Sequence, residues 1–213
     1  DKEITYRPFT VKEQKILLTA KQAHDPSQEL DAICQIISMC TNNEVDPKTL
    51  PLFDIEDLFL RIRSKSVSDI CEIGYKVKDS KKSVKVSIDL NDVKVVVPES
   101  HSRKIQITDS IWIYMNYPSI GMIDLNKNKT DQITNDDTMI KACFGYAFTE
   151  DEVFSDFTEQ ELDEWIDEFD IKILKKIGDF FNTMPHVYYE TEVEIDKDVK
   201  EKLVFKSISD FFV

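Results

Sequence analysis

LPLFDIEDLFLRIRSKSV, from Leu50 to Val67, is the stretch on which the reading of this chain turns. Pro51 ends an extended lead-in and Asp54 stands where a helix N-cap belongs. Ile55, Leu58, Phe59 and Ile62 then recur at helical spacing on one face. Acidic residues come first (Asp54, Glu56, Asp57) and basic residues last (Arg61, Arg63, Lys65). That order suits the helix dipole, at roughly 0.3–1 kcal/mol per well-placed charge. The stretch reads as an amphipathic helix with one face in a core.

Moving toward the N-terminus, Asp46-Pro47 starts a short turn, and Asn42 and Asn43 close a helix. That helix opens on Asp25-Pro26-Ser27-Gln28, with Asp as N-cap, Pro at the first helical position and Gln at the third. Leu30, Ile33, Cys34 and Ile37 form its apolar stripe. An earlier helix opens on the capping box Thr10-Val11-Lys12-Glu13 and carries Ile16, Leu17, Ala20 and Ala23. Glu3 to Phe9 reads as the remnant of a strand. The chain opens on Asp1, not Met, without a signal-peptide pattern, so residues are expected to precede it.

Toward the C-terminus the period changes at Ser68. Cys71, Ile73, Tyr75 and Val77 alternate with polar residues, as do Val84, Val86, Ile88 and Leu90. Asp79 to Lys82 and Asn91-Asp92 are turn signals. Val93–Val97, Lys104–Ile107 and the aromatic-rich Ile111–Tyr117 extend the series into an antiparallel meander. Thr138 to Phe148 reads as a helix with Met139, Ile140, Cys143 and Phe144 inward. Thr158 to Glu161 is a capping box, with Phe157 and Leu162 as its hydrophobic staple. Its helix buries Leu162, Trp165, Ile166 and Phe169. A further helix uses Ile173, Leu174, Ile177, Phe180 and Phe181 and stops at Met184-Pro185. In the last hairpin Val187, Tyr189, Thr191, Val193 and Ile195 face one way, and Tyr188, Glu190, Glu192 and Glu194 the other. Asp196 to Val199 turns it, and Ser207 to Val213 is a short amphipathic end.

The expected class is α+β: N-terminal helices, a central antiparallel β meander, then C-terminal helices and a β hairpin. The expected segments are 1–67, 68–118, a polar loop over 119–135, and 136–213, composed into one globular unit.

The 213 residues carry a net charge of −14. Phosphate neutralisation by Lys and Arg dominates nucleic-acid binding, so this balance opposes DNA or RNA partners, and it opposes anionic membranes as well. Mimicry of DNA by so acidic a chain is a minor alternative to mere solubility. The apolar runs fall short of the roughly 20 residues of a membrane span. Cys34, Cys40, Cys71 and Cys143 lack zinc spacing and read as buried, reduced thiols. Asp124 begins like a calcium loop, but Lys129 stands where the turn needs Gly and Asn135 where calcium needs a bidentate Glu. Residues 150–170 hold eleven carboxylates without Lys or Arg, which reads as a solvated face or a dock for a basic protein. Glu190, Glu192 and Glu194 recur at roughly 6.6–6.8 Å, too wide for neighbours to share a tight metal site. The histidines, His24, His101 and His186, are scattered, and the common nucleophile, phosphate-loop and zinc-protease motifs are missing from the sequence. Neither catalytic residues, a metal site nor a cofactor are assigned. A divalent-ion hydrolase using the acidic region is the remote alternative.

RPFTVKEQKILLTA (Arg7–Ala20), the 50–67 stretch, GDFFNTMPHVYYE (Gly178–Glu190) and the ending ISDFFV (Ile208–Val213) together resemble the baseplate hub assembly proteins of T-even-type contractile-tailed phages. The resemblance covers Arg7 to Val67 and about Phe157 to Val213, and the middle fits in length and position. Members of that family often carry further cysteines in the last hairpin, where this chain has Asp196 to Val199, so a metal role there is unsupported. The resemblance implies a non-enzymatic hub component acting through contacts with other hub or tail proteins, in the host cytoplasm during assembly and in the virion baseplate. A transient chaperone for the hub or the tape-measure protein is the runner-up. Tyr188, Glu190, Glu192, Glu194, Phe211 and Phe212 are the candidate contact residues, with core capping the competing role for the two phenylalanines.

Overall fold

The computed structural model describes residues 3–23, 25–77, 82–122, 132–196 and 199–211. The turn expected from Asp79, the calcium-like loop from Asp124, the tip of the last hairpin at 197–198, His24 and Phe212 fall outside them. The fold is α+β with antiparallel pairing throughout the described strands. Its contacts divide the chain into two compact units, Asp1–Val96 with His186–Val213, and Val97–Pro185. This grouping cuts across the consecutive segments expected from the sequence.

In the first unit, α1 (Val11–Ala23), α2 (Pro26–Cys40) and α3 (Leu52–Ser66) follow one another, with a 3₁₀ turn at Pro47–Thr49 before α3. The caps explain the boundaries. Thr10 donates both its N–H, at 2.7 Å, and its hydroxyl to the Glu13 carboxylate. Asp25 accepts from Ser27 N–H at 2.9 Å, and Pro26 begins α2. Asn42 and Asn43 take φ of 52° and 59°, the left-handed conformation that Asn tolerates after a helix. The N-cap of α3 is Pro51 and not Asp54, which sits in the first turn where it complements the dipole without accepting a capping bond. Residues 3–9 do not join a sheet; Arg7 N–H donates to the Cys40 carbonyl at 2.9 Å and Phe9 N–H to Ser66 Oγ at 2.8 Å. The strand remnant is thus an extended strap held by helix ends.

Two sheets complete this unit. β1 (Ile70–Lys76) pairs with β2 (Ser83–Asp89). β3 (Lys94–Val96) turns away from β2 despite Asn91-Asp92 and pairs with β8 (His186–Asp196), whose other side pairs with β9 (Val199–Phe205). A three-residue strand gains little from one neighbour, and Val95 gains burial by lying opposite the fully buried Val187. The core gathers Leu60 of α3 with Cys71, Ile73, Val86, Ile88, Val187, Leu203, Phe205 and Phe211. A 3₁₀ turn, Ile208–Phe211, closes it.

α3 is buried on more than the single stripe its sequence shows. Ile55, Phe59 and Ile62 are fully buried, and Leu60 and Glu56 are buried as well. Glu56, 4 % exposed, accepts a hydrogen bond from Ile208 N–H at 2.9 Å. Burial pushes its carboxyl up to about 7, against the pull of that donor and aided by Asp210.

The second unit is a four-stranded meander, β4 (Lys104–Gln106), β5 (Trp112–Met115), β6 (Phe144–Phe148) and β7 (Val153–Phe154), with α4 (Gln132–Cys143), α5 (Glu159–Asp167) and α6 (Ile171–Asn182). The helix expected over Thr138–Phe148 stops at Cys143, and FGYAF is a strand. Its alternating aromatics pair with those of β5, and Asn116 N–H donates to the Cys143 carbonyl at 2.6 Å at the switch. Gly145 permits the approach: a Cβ there would lie 2.7 Å from the Tyr114 carbonyl oxygen. Ile105, Ile113, Met115 and Ala147 face a core completed by Ile140, Cys143, Ile166, Ile177 and Phe180. The capping box at Thr158 and Glu161 forms as expected. All four cysteines are free and buried, and burial pushes the Cys143 thiol up to about 12.

Folded Glu56 binds its proton more tightly than the ordinary carboxyl of 4.5, so its contribution to stability is whole below pH 4.5 and is lost as pH rises through about 7. Glu56→Gln keeps an acceptor for Ile208 and cannot ionise. Its melting temperature is expected to exceed wild type at pH 8, by an equivalent of about 1–3 kcal/mol, and to converge with it near pH 4.5. A difference that does not depend on pH would defeat the assignment. Gly145→Ala is expected to destabilise by about 1–3 kcal/mol through overpacking against backbone. Gly178→Ala, in α6 where nothing lies within 4 Å of the added carbon, is expected to be neutral or stabilising by up to about 1 kcal/mol. Denaturant titration of the pair checks the contrast.

Candidate interaction surface

The outward face of β8 is built by alternation. Val187, Tyr189 and Val193 pack on the core of the first unit, which turns Glu190, Glu192 and Glu194 to solvent, with Tyr188 half-buried beside them. Lys202 Nζ lies 2.8 Å from Glu190 and Lys200 Nζ 3.7 Å from Glu192, so β9 answers two of the three carboxylates diagonally. The Tyr188 hydroxyl donates to Glu190. Lys202 and then Tyr188 hold the Glu190 carboxyl below its usual range, and Glu190 in turn raises Lys202. Glu194 has no ion pair among the described residues. The face is therefore a cross-strand ladder of charge rather than a block of acid. Phe211 is elsewhere: at 1 % exposure it sits against Phe205 with a ring separation of 5.6 Å, and the Cys71 thiol donates to its carbonyl. Its place in the structure is the core, so it is not available as a surface contact.

A second surface was only partly visible in the sequence. Because Ile113, Met115 and Ala147 turn inward, Trp112, Tyr114, Tyr146 and Phe148 share the outer face of the four-stranded sheet. They form two cross-strand pairs, Trp112 on Phe148 at 5.9 Å and Tyr114 on Tyr146 at 5.1 Å, each stacked within 25° of parallel. Lys104 Nζ lies 4.6 Å from the Trp112 ring centre and 4.8 Å from that of Phe148. The Arg103 guanidinium lies 4.4 Å from that of Tyr114, and its Nε–H donates to the Met115 carbonyl at 2.7 Å. Rings held by each other and by cations keep their geometry without a ligand. All four are half-buried, and Val153 at the sheet edge is 67 % exposed. The alternation in WIYM is a strand signal, whereas its pairing with FGYAF is nonlocal and leaves no local mark in the sequence.

The remaining polar groups have local work. Thr183 Oγ commits its proton to the Asp179 carbonyl at 2.6 Å and so accepts from His101 Nδ1–H at 3.0 Å. His101 Nε2 then accepts from the Tyr117 hydroxyl at 2.9 Å. Burial, then Arg103, lowers the imidazole's proton affinity, which favours the neutral ring this relay uses. His186 pairs with Val96 in the β3–β8 ladder. Of the carboxylates in 150–170, Glu161 caps α5, Asp170 caps α6, Asp163 pairs with Lys141 and Glu164 accepts from Gln160. Among the described residues no three His, Cys, Asp or Glu side chains converge as a metal site, and no helix is long and apolar enough to cross a membrane.

Stacked aromatic rings crossed by cations, and a cross-strand ladder of Glu and Lys, are side-chain groupings that protein interfaces use. A family model, T4 bacteriophage base plate protein, matches residues 1–213. The chain belongs to the T4 bacteriophage base plate protein family. Neither the curated proteins nor the solved structures gave a significant match. Membership in a base plate family implies contacts with other phage base plate or tail proteins, and both faces have the make-up such contacts use.

If the aromatic ladder is preorganised, Tyr114→Leu and Tyr146→Leu are expected to couple by about 0.5–1.5 kcal/mol in a double-mutant cycle of stability. Additive effects would show that the rings do not support each other.

Proposed function

We propose that this base plate protein acts in assembly of the baseplate hub, through protein–protein contacts and without catalysis. The observation that carries the reading is the preordered face of Trp112, Tyr114, Tyr146 and Phe148 with Lys104 and Arg103 across it. Aromatic and Arg side chains dominate the energy of protein interfaces because they bury much area at little cost in ordering. The hub-family text at Arg7–Ala20, Leu50–Val67, Gly178–Glu190 and Ile208–Val213 supports the hub in particular. The hairpin face of Tyr188, Glu190, Glu192 and Glu194 is the second contact in this reading, with its Glu–Lys ladder setting register. The protein works in the host cytoplasm while the hub is built and stays in the virion baseplate.

Quantitative mass spectrometry of purified particles against infected-cell lysate tests this. A fixed copy number per particle is expected. Abundance in lysate with absence from particles would replace it with a transient chaperone for the hub or the tape-measure protein. Trp112→Ala with Tyr146→Ala is expected to lower incorporation at least tenfold while the protein remains folded by circular dichroism.

A further inference from the structure

We propose that the free edge of β1 is a docking site for an extended, strand-forming segment of another polypeptide. The ladder itself shows which groups are available. Leu90 N–H donates to the Asp69 carbonyl at 2.8 Å and Val77 N–H to the Lys82 carbonyl at 3.1 Å, and both pairs continue the β1–β2 register. Hydrogen-bonded pairs therefore fall on odd-numbered residues of β1. In an antiparallel ladder the alternate residues aim both main-chain groups the other way. Glu72, Gly74 and Lys76 thus present N–H and C=O groups to an edge that pairs with no strand among the described residues.

Three features mark this edge as a site. First, a cleft of about 420 Å³ runs along it, lined by the consecutive residues Ile73 to Lys76 on one side and Leu203 to Phe205 of β9 on the other. Consecutive residues line a cleft when a strand's edge, rather than its face, forms the wall. Among the described residues β9 likewise ends its sheet, so two strand edges face one gap. Second, Gly74 stands in the middle of β1. An added Cβ would meet nothing closer than Ser83 Oγ at 3.6 Å, so internal packing does not demand glycine there. A glycine inside a strand often marks a place where another backbone comes close. Third, the Tyr75 hydroxyl donates to Glu201 at 2.9 Å across the gap, which holds the two edges apart at fixed spacing.

The occupant follows from this chemistry. Main-chain groups recognise an extended backbone, and Ile73, Leu203 and Phe205 favour apolar residues at alternate positions. Lys76 and Asp210 in the lining offset each other, and the −14 of the whole chain favours a segment with basic flanks. The same charge opposes a second copy of this chain. The inference rests on the assembly role for its choice of partner, but its readout is separate: particle copy number tests that role, and backbone pairing at Gly74 tests this edge.

Overlapping short peptides from the same phage's base plate proteins are the probes, titrated into the intact protein by amide NMR. The expected result is a binding peptide of alternating apolar pattern that shifts Glu72–Lys76 and Leu203–Phe205. Gly74→Pro removes an N–H that β2 does not use, so melting is expected to hold while affinity falls roughly tenfold. Methylation of alternate amide nitrogens in the peptide is expected to do the same with the protein untouched. The proposal is overturned by binding that survives both changes, by a footprint elsewhere, by the failure of every peptide, or by a dimer of this chain that Gly74→Pro dissolves.

Discussion

Burial of α3 on more than one side is the constraint from which the first unit follows. An isolated amphipathic helix needs one covering layer. Here Ile55, Phe59 and Ile62 are fully buried, and Leu60 joins the core of the strands. The helix contacts α2 as well as β3 and β8. That encirclement carries a carboxylate, Glu56, out of water, and a buried carboxyl needs a donor. The donor is Ile208 N–H, 152 residues along the chain. The same turn brings Phe211 onto Cys71 and Phe205. The unit is therefore built from both ends of the chain, Asp1–Val96 and His186–Val213. Its closing contacts are of very long sequence separation, the kind that slows folding more than it weakens the folded state.

What the sequence disclosed was whatever a few adjacent residues decide. The caps at Asp25-Pro26 and Thr158–Glu161, the left-handed Asn pair and the inside–outside alternation of β8 were all legible, because each depends on local hydrogen bonds or on a period. Three features were not. Asp54 has the right residue type for a cap, but Pro51 three residues earlier already sets the helical start. FGYAF has no period of its own strong enough to oppose a preceding helix; only its partner strand, some thirty residues back, decides it. β3 follows a turn signal after β2, yet its partner is β8, and the gain in burying Val95 against Val187 is nonlocal. The candidate surfaces divide the same way. The glutamate face of the hairpin was readable from alternation, whereas its answering lysines required the β8–β9 register, and the burial of Phe211 required the whole core.

The charge of −14 looks less uniform in the fold than in composition. Of the carboxylates in 150–170, Glu161 and Asp170 serve helix starts and Asp163 an ion pair. On the hairpin, lysines meet glutamates. On the aromatic face, the cations of Arg103 and Lys104 lie over rings. Acidity thus acts as a field around the molecule, while the faces suited to contact are locally balanced or basic. Such a field governs encounter rates and choice of partner more than the strength of any one contact.

That separation bears on how open strand edges are kept from pairing with copies of themselves. Unpaired edges are templates for association, and natural sheets guard them with charge, short strands or cover. Here the edges of β1 and β9, unpaired among the described residues, flank a mainly apolar cleft whose wall carries one cation, Lys76, and one anion, Asp210. The guard is the net repulsion between identical chains, which weakens self-pairing without blocking the edge. A partner of opposite charge meets no such barrier. On the docking proposed for the β1 edge, the arrangement suits a surface that receives a different chain while identical copies repel. The aromatic face works by another route, since its rings are already ordered and need no strand to arrive. In the proposed roles, one surface offers ordered side chains and the other unpaired backbone, so the two would select partners by different chemistry.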